Sequence, residues 1–136
     1  MIWPFNRTDT DLDQASLTLD PFVAEALTGV EKEQLFNRLS TRTLVECYVY
    51  GAVRYLASYD DMRPASAGIL LERILASHFD ASSNEVTTSQ LYFSSRPEGD
   101  KEQLFMIEGA SALRRWLVEG DRSVGSNLRE LLETSH

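Results

Sequence analysis

Asp9, Asp11, Asp13 and Asp20, in the stretch DTDLDQASLTLD, carry carboxylates at the first, third, fifth and twelfth places of a calcium-loop spacing. Such a set holds a hard cation when a glycine permits the sharp turn and a bidentate glutamate closes the shell. Gln14 stands at the turn, Asp20 at the closing place and Ser16 at the usual apolar one. The stretch therefore reads as an acidic solvated loop with Asp20 capping the helix that follows, and no metal or cofactor is expected.

Soft and basic ligands are equally sparse. Cys47 is the single cysteine, and His78 and His136 are the only histidines, so no zinc-like spacing exists. Cys47 falls among apolar neighbours and is expected to be a buried structural thiol. His78 lies where a helix should end, and there an imidazolium interacts well with the dipole. No glycine-rich phosphate loop, serine elbow or carboxylate–histidine motif occurs, and nothing places the carboxylates of Glu46 and Glu72 together. No catalytic residue is assigned.

Two groups of residues remain that could make a binding site. Tyr48, Tyr50, Tyr55 and Tyr59 crowd one segment beside Arg54. Tyr48, Arg54, Tyr55, Tyr59 and Trp116 are the candidate lining of a ligand pocket, with Arg54 or Arg114 meeting an anion. The plainer reading packs these rings in the core and sends their hydroxyls to its rim. The second group is apolar: Ile2, Trp3 and Phe5 at the start, and Leu91, Tyr92 and Phe93 later. Such side chains are costly in water, so they fold back onto the body or enter a partner's groove. They are the candidate partner-binding residues.

The elements that would position these groups follow from period and capping. The first nineteen residues mix aspartate and threonine with no sustained helical period and are expected to be an extended acidic segment (1–19), ahead of a helical bundle domain (20–136). Asp20 and Pro21 suit the cap and first position of a short helix ending near Gly29. KEQLF occurs twice, at 32–36 and 101–105, each time behind a capping residue, Thr28 or Asp100. Two helix openings explain this better than a duplication, since the residues that follow agree only at Leu44/Leu113, Val49/Val118 and Gly51/Gly120.

A long helix over about 31–59 is apolar on most sides between Leu44 and Leu56, which makes it central. Its wet stripe runs Arg38, Arg42, Glu46, Tyr50, Arg54 at spacing four. Gly51 inside it predicts a close helix crossing or a kink. Asp60 and Asp61 break the chain, and Pro64 opens a partner helix to about His78 that buries Ala67, Leu70, Leu71, Ile74 and Leu75. The stretch 86–95 is ambiguous between strand and a short helix. Another helix, Lys101 to Glu119, should bury Leu104, Phe105, Ile107, Ala112, Leu113, Trp116 and Leu117 before Gly120 ends it, and a last one runs from Ser126 to Glu133. The expected fold is an all-α, single-domain bundle of five or six helices around that central helix.

Composition bounds the function. The chain has 136 residues, 43% of them hydrophobic, and a net charge of −8 concentrated at its two ends. A surface of that sign repels phosphate backbones, which disfavours nucleic acid, and it favours a basic protein partner. No stretch is long and apolar enough for a membrane span, and no export signal precedes the body, so a cytoplasmic protein is expected. The leading expectation is a small acidic interaction module of the adaptor, inhibitor, immunity or secretion-chaperone kind. The alternatives are a ligand-binding or enzymatic bundle with the tyrosine-lined pocket, and a homo-oligomeric structural subunit, a homodimer being its simplest form.

Overall fold

Leu12, Ala15, Leu19, Phe22, Val23 and Ala26 recur at helical spacing and are all buried, and they form the inner face of a first helix, α1 (Trp3–Leu27). The computed structural model describes residues 3–31, 39–79 and 101–134. The extended segment expected over 1–19 is thus helical from Trp3, and the boundary expected at Asp20 lies inside α1. Pro21 does not start this helix but is carried within it. Having no N–H, it leaves the Leu17 carbonyl without its donor in the helix, and Leu17 and Pro21 are both exposed, so that carbonyl lies on the side that water reaches. Asp20 is not a cap either. Its Oδ1 lies 3.1 Å from Nε2 of His78, and Oδ1 of Asp13 lies 3.2 Å from Nη1 of Arg73, so two of the four aspartates tie α1 to the helix that carries His78.

The second helix, α2 (Leu39–Tyr59), is the centre of the bundle. Leu44, Val45, Cys47, Tyr48, Val49, Ala52, Val53 and Leu56 are buried, and α2 touches α1, the third helix and the fourth. Cys47 is fully buried. One position of the expected wet stripe is not wet: Glu46 is only 7% exposed and pairs with Arg42 at 3.3 Å. Arg42 also donates from Nη2 to the Phe79 carbonyl at 2.9 Å, which satisfies one of the acceptors left over at a helix end.

At its C-terminus α2 closes with two reciprocal backbone bonds, Met62 N–H to Ala57 O at 2.8 Å and Asp61 N–H to Ser58 O at 3.3 Å. That is the Schellman arrangement, and it requires a left-handed residue at Asp61, whose φ is 53°. Glycine is the usual occupant, and an L-residue there costs roughly 1 kcal/mol. Pro64 then opens α3 (Pro64–Phe79), whose Leu70, Leu71, Ile74 and Leu75 are buried as expected.

Lys101 is the first described residue of α4 (Lys101–Arg114), so the second KEQLF is helical, while the first copy lies outside the described residues. The axis of α4 continues as one wide π turn over Arg115–Glu119 and stops at Gly120, φ 69°. Helix α5 (Val124–Thr134) follows, with Val124, Leu128 and Leu132 buried. Five α-helices and no strand are present among the described residues, and the protein is an all-α bundle. No helix among them is long and apolar enough to cross a membrane.

The closest packing in the bundle is α2 against α4. A Cβ placed on Gly51 would stand 1.9 Å from the Met106 carbonyl oxygen, and one on Gly109 would stand 1.9 Å from that of Tyr48. The two glycines thus let the backbones touch directly, and the crossing that Gly51 predicted is present without need of a kink. This contact also decides which way α4 faces. Phe105, Met106, Ala112 and Leu113 flank Gly109 on the buried side, so Leu104 and Ile107, expected in the core, are turned outward.

Asp121 fixes the entry to α5. Its Oδ1 accepts from the Ser123 hydroxyl at 2.6 Å and from the Ser123 amide at 2.9 Å. These two bonds, with a lesser contribution from the Arg115 guanidinium, hold its carboxyl below the ordinary 3.8 against the opposing effect of burial. A depressed folded value contributes stability that is present above the unfolded value and is lost as pH falls through the folded one. Replacing Asp121 by Asn keeps a capping oxygen but removes the titration. Wild type is expected to exceed Asp121→Asn in urea midpoint at pH 6, with the gap closing as pH is lowered from about 5 to below the folded value. A gap that stays constant over that range would show that the carboxylate is not engaged.

Candidate functional site

The aromatic residues proposed for a pocket fall into separate places. Tyr48 is fully buried, its ring parallel to that of Phe22 with centroids 6.4 Å apart, and its hydroxyl donates to Asn127 Oδ1 at 2.6 Å, joining α2 to α5. Burial pushes the phenol far above its usual range, so it remains a donor at any ordinary pH. Trp116 meets Phe22 edge-on, at 5.6 Å and 89°, and Arg122 covers the indole at 3.8 Å while donating to the Trp116 carbonyl. Phe22 of α1 is therefore the ring that joins Tyr48 to Trp116. Tyr55 and Tyr59, one turn apart on α2, pair with each other at 6.0 Å, and Tyr59 is exposed.

Arg54 is elsewhere. It lines a cleft of about 440 Å³ in the elbow between α2 and α3, together with Tyr50, Val53, Ala57 and Ser58 of α2, Asp61 and Met62 of the turn, and Ala67, Gly68 and Leu71 of α3. Of the five pocket candidates only Arg54 borders this space, and Tyr50, its neighbour one turn back on the wet stripe, is the tyrosine that does so. Val53 and Leu71 make a buried apolar floor, whereas Arg54, Ser58 and Asp61 are exposed at the mouth. The Arg54 guanidinium lies 5.9 Å from the centre of the Tyr50 ring. An apolar floor with polar groups of both signs at the rim is the make-up of a small-molecule site.

A second surface lies on the outside of α4. Leu104, Ile107 and Val118 are 48%, 57% and 59% exposed and fall on the face opposite Gly109. Between them stand Ser111 and Arg114, the latter 3.6 Å from Glu119, so its guanidinium is locally neutralised. Leu104 and Ile107 were readable as apolar helix positions. Their outward direction was not, because it is imposed by the glycine contact on the other side.

The other candidates lie outside this description. Ile2, the side chains of Trp3 and Phe5, and Leu91, Tyr92 and Phe93 with the ambiguous stretch 86–95, are outside the described residues. Among the described residues, no group of three or more His, Cys, Asp or Glu stands together as metal ligands would. No protein-family model, curated protein or solved structure matches the chain.

Proposed function

We propose that this protein is a small acidic interaction module that receives a basic amphipathic helix of another protein along the outer face of α4. The observation that carries the reading is the exposed stripe Leu104, Ile107, Val118. It spans fifteen residues, on the order of 20 Å of axis, which matches three or four turns of a partner helix laid against it. Its backing is rigid, because α4 is held to α2 through backbone contact at Gly109 and Gly51, so little ordering is needed on this side of the interface. The net charge of −8 supplies the sign of the partner, since a basic segment is attracted and an acidic one repelled.

The lone cysteine, buried in the core, is in keeping with a reducing compartment, and the reading places the protein in the cytoplasm. A photoreactive residue at position 107, compared with one at exposed Glu130 on α5, tests the proposal in the native host. Cross-linking confined to position 107, onto a partner peptide rich in Lys and Arg with apolar residues every three or four, is expected.

A further inference from the structure

The cleft between α2 and α3 carries a separate inference, independent of the α4 face. We propose that it binds a short apolar peptide with free termini, the carboxylate against Arg54 and the ammonium against Asp61. Its size, about 440 Å³, lies within the ordinary range for small-molecule sites. Its floor, Val53, Leu71, Ala57, Ala67 and Met62, suits aliphatic side chains.

The charges at its mouth are of opposite sign and are not spent on each other. Among the described residues, neither Arg54 nor Asp61 forms an ion pair, and Arg54 rests only on the Tyr50 ring. A guanidinium offers a forked pair of donors to a carboxylate, and an aspartate accepts from an ammonium. The two residues are seven apart along the chain, about two helical turns or on the order of 10 Å of axis. A single free amino acid is too short to meet both, and a dipeptide or tripeptide is not.

Two further observations select a zwitterion over a simple anion. A molecule of net charge zero is not repelled by a chain of net charge −8, as a free carboxylate would be. And Asp61 occupies the left-handed position that glycine would fill with less strain. The carboxylate thus sits at the mouth of the cleft although the backbone there favours a residue without a side chain, and strain retained at a ligand site is a recurrent pattern.

The test is titration of the full chain with dileucine, followed by amide shifts of Ala57, Met62 and Gly68, alongside N-acetylated and C-amidated dileucine and the variants Arg54→Gln and Asp61→Gly. Saturable shifts at these amides are expected at millimolar peptide. Blocking either terminus should weaken binding about tenfold, the loss of one charge-assisted contact. Arg54→Gln should bind the free and amidated peptides equally well. Asp61→Gly should raise the melting midpoint and weaken binding together, a combination that a merely structural aspartate would not give. The proposal is overturned if no saturable shift appears at these amides, or if blocking the termini changes nothing. Sensitivity to the C-terminal block alone overturns it too, in favour of a plain carboxylate site, as does an Asp61→Gly variant that binds as well as wild type.

Discussion

Gly109→Ala is expected to destabilise the bundle by about 3 kcal/mol, against the usual sign for this exchange in a helix. Two effects oppose each other. Alanine is favoured over glycine in a helix interior by about 1 kcal/mol, which would stabilise α4. The new methyl, however, would meet the Tyr48 carbonyl oxygen at 1.9 Å, and backbone cannot swing aside as a flexible side chain can. Helices α2 and α4 would have to separate, loosening Phe105, Met106 and Leu113 in the process. Gly51→Ala meets the Met106 carbonyl at the same distance and should behave alike. Urea denaturation reads the change directly. A Gly109→Ala protein as stable as wild type would mean that the two backbones do not touch, and the outward direction of Leu104 and Ile107 would lose its cause.

The second large effect is expected at Phe22. Its ring is fully buried, lies parallel to Tyr48 and receives Trp116 edge-on. Phe22→Ala removes both ring contacts and leaves a cavity at the junction of α1, α2 and the π turn, for a loss of about 3–5 kcal/mol. In a Trp3→Phe background Trp116 is the only indole, and its emission should move to the red as the cavity admits water. A loss below about 1 kcal/mol would place α1 off the core, since only a surface phenylalanine is so cheaply removed.

These two sites show what could be read from residues alone and what could not. Gly51 announced the crossing, because glycine in an otherwise uninterrupted apolar helix needs a reason, and the same segment marked α2 as central. Cys47 in the core, the break before Pro64 and the stop at Gly120 were legible for similarly local causes. The first helix was not. Leu12, Ala15 and Leu19 do keep helical spacing, but Asp9, Asp11 and Asp13 gave the stretch the composition of a loop, and Pro21 looked like a beginning. What overrides both is tertiary: α1 packs on α3 and α5, with Asp13 and Asp20 meeting Arg73 and His78. Local signals carry no trace of those partners, which lie some sixty residues away.

The repeated KEQLF illustrates the same limit from the other side. Gly51 is a mid-helix contact glycine and Gly120 a left-handed helix end, and Val49 is buried whereas Val118 is exposed. Aligned residues with such different roles fit independent helices better than two copies of one hairpin. The candidate sites divide likewise. Tyr50 and Arg54 were legible as neighbours on one stripe of α2, but the cleft they border exists only because the Asp61 turn folds α3 against it.

Cross-linking from position 107 measures docking on the outer face of α4 most directly. An adduct formed from position 107 but not from Glu130, mapping to a basic amphipathic segment of another protein, is the predicted result. Equal adducts from both positions, none from 107, an acidic partner segment, or a second copy of this chain as the only product would each contradict it.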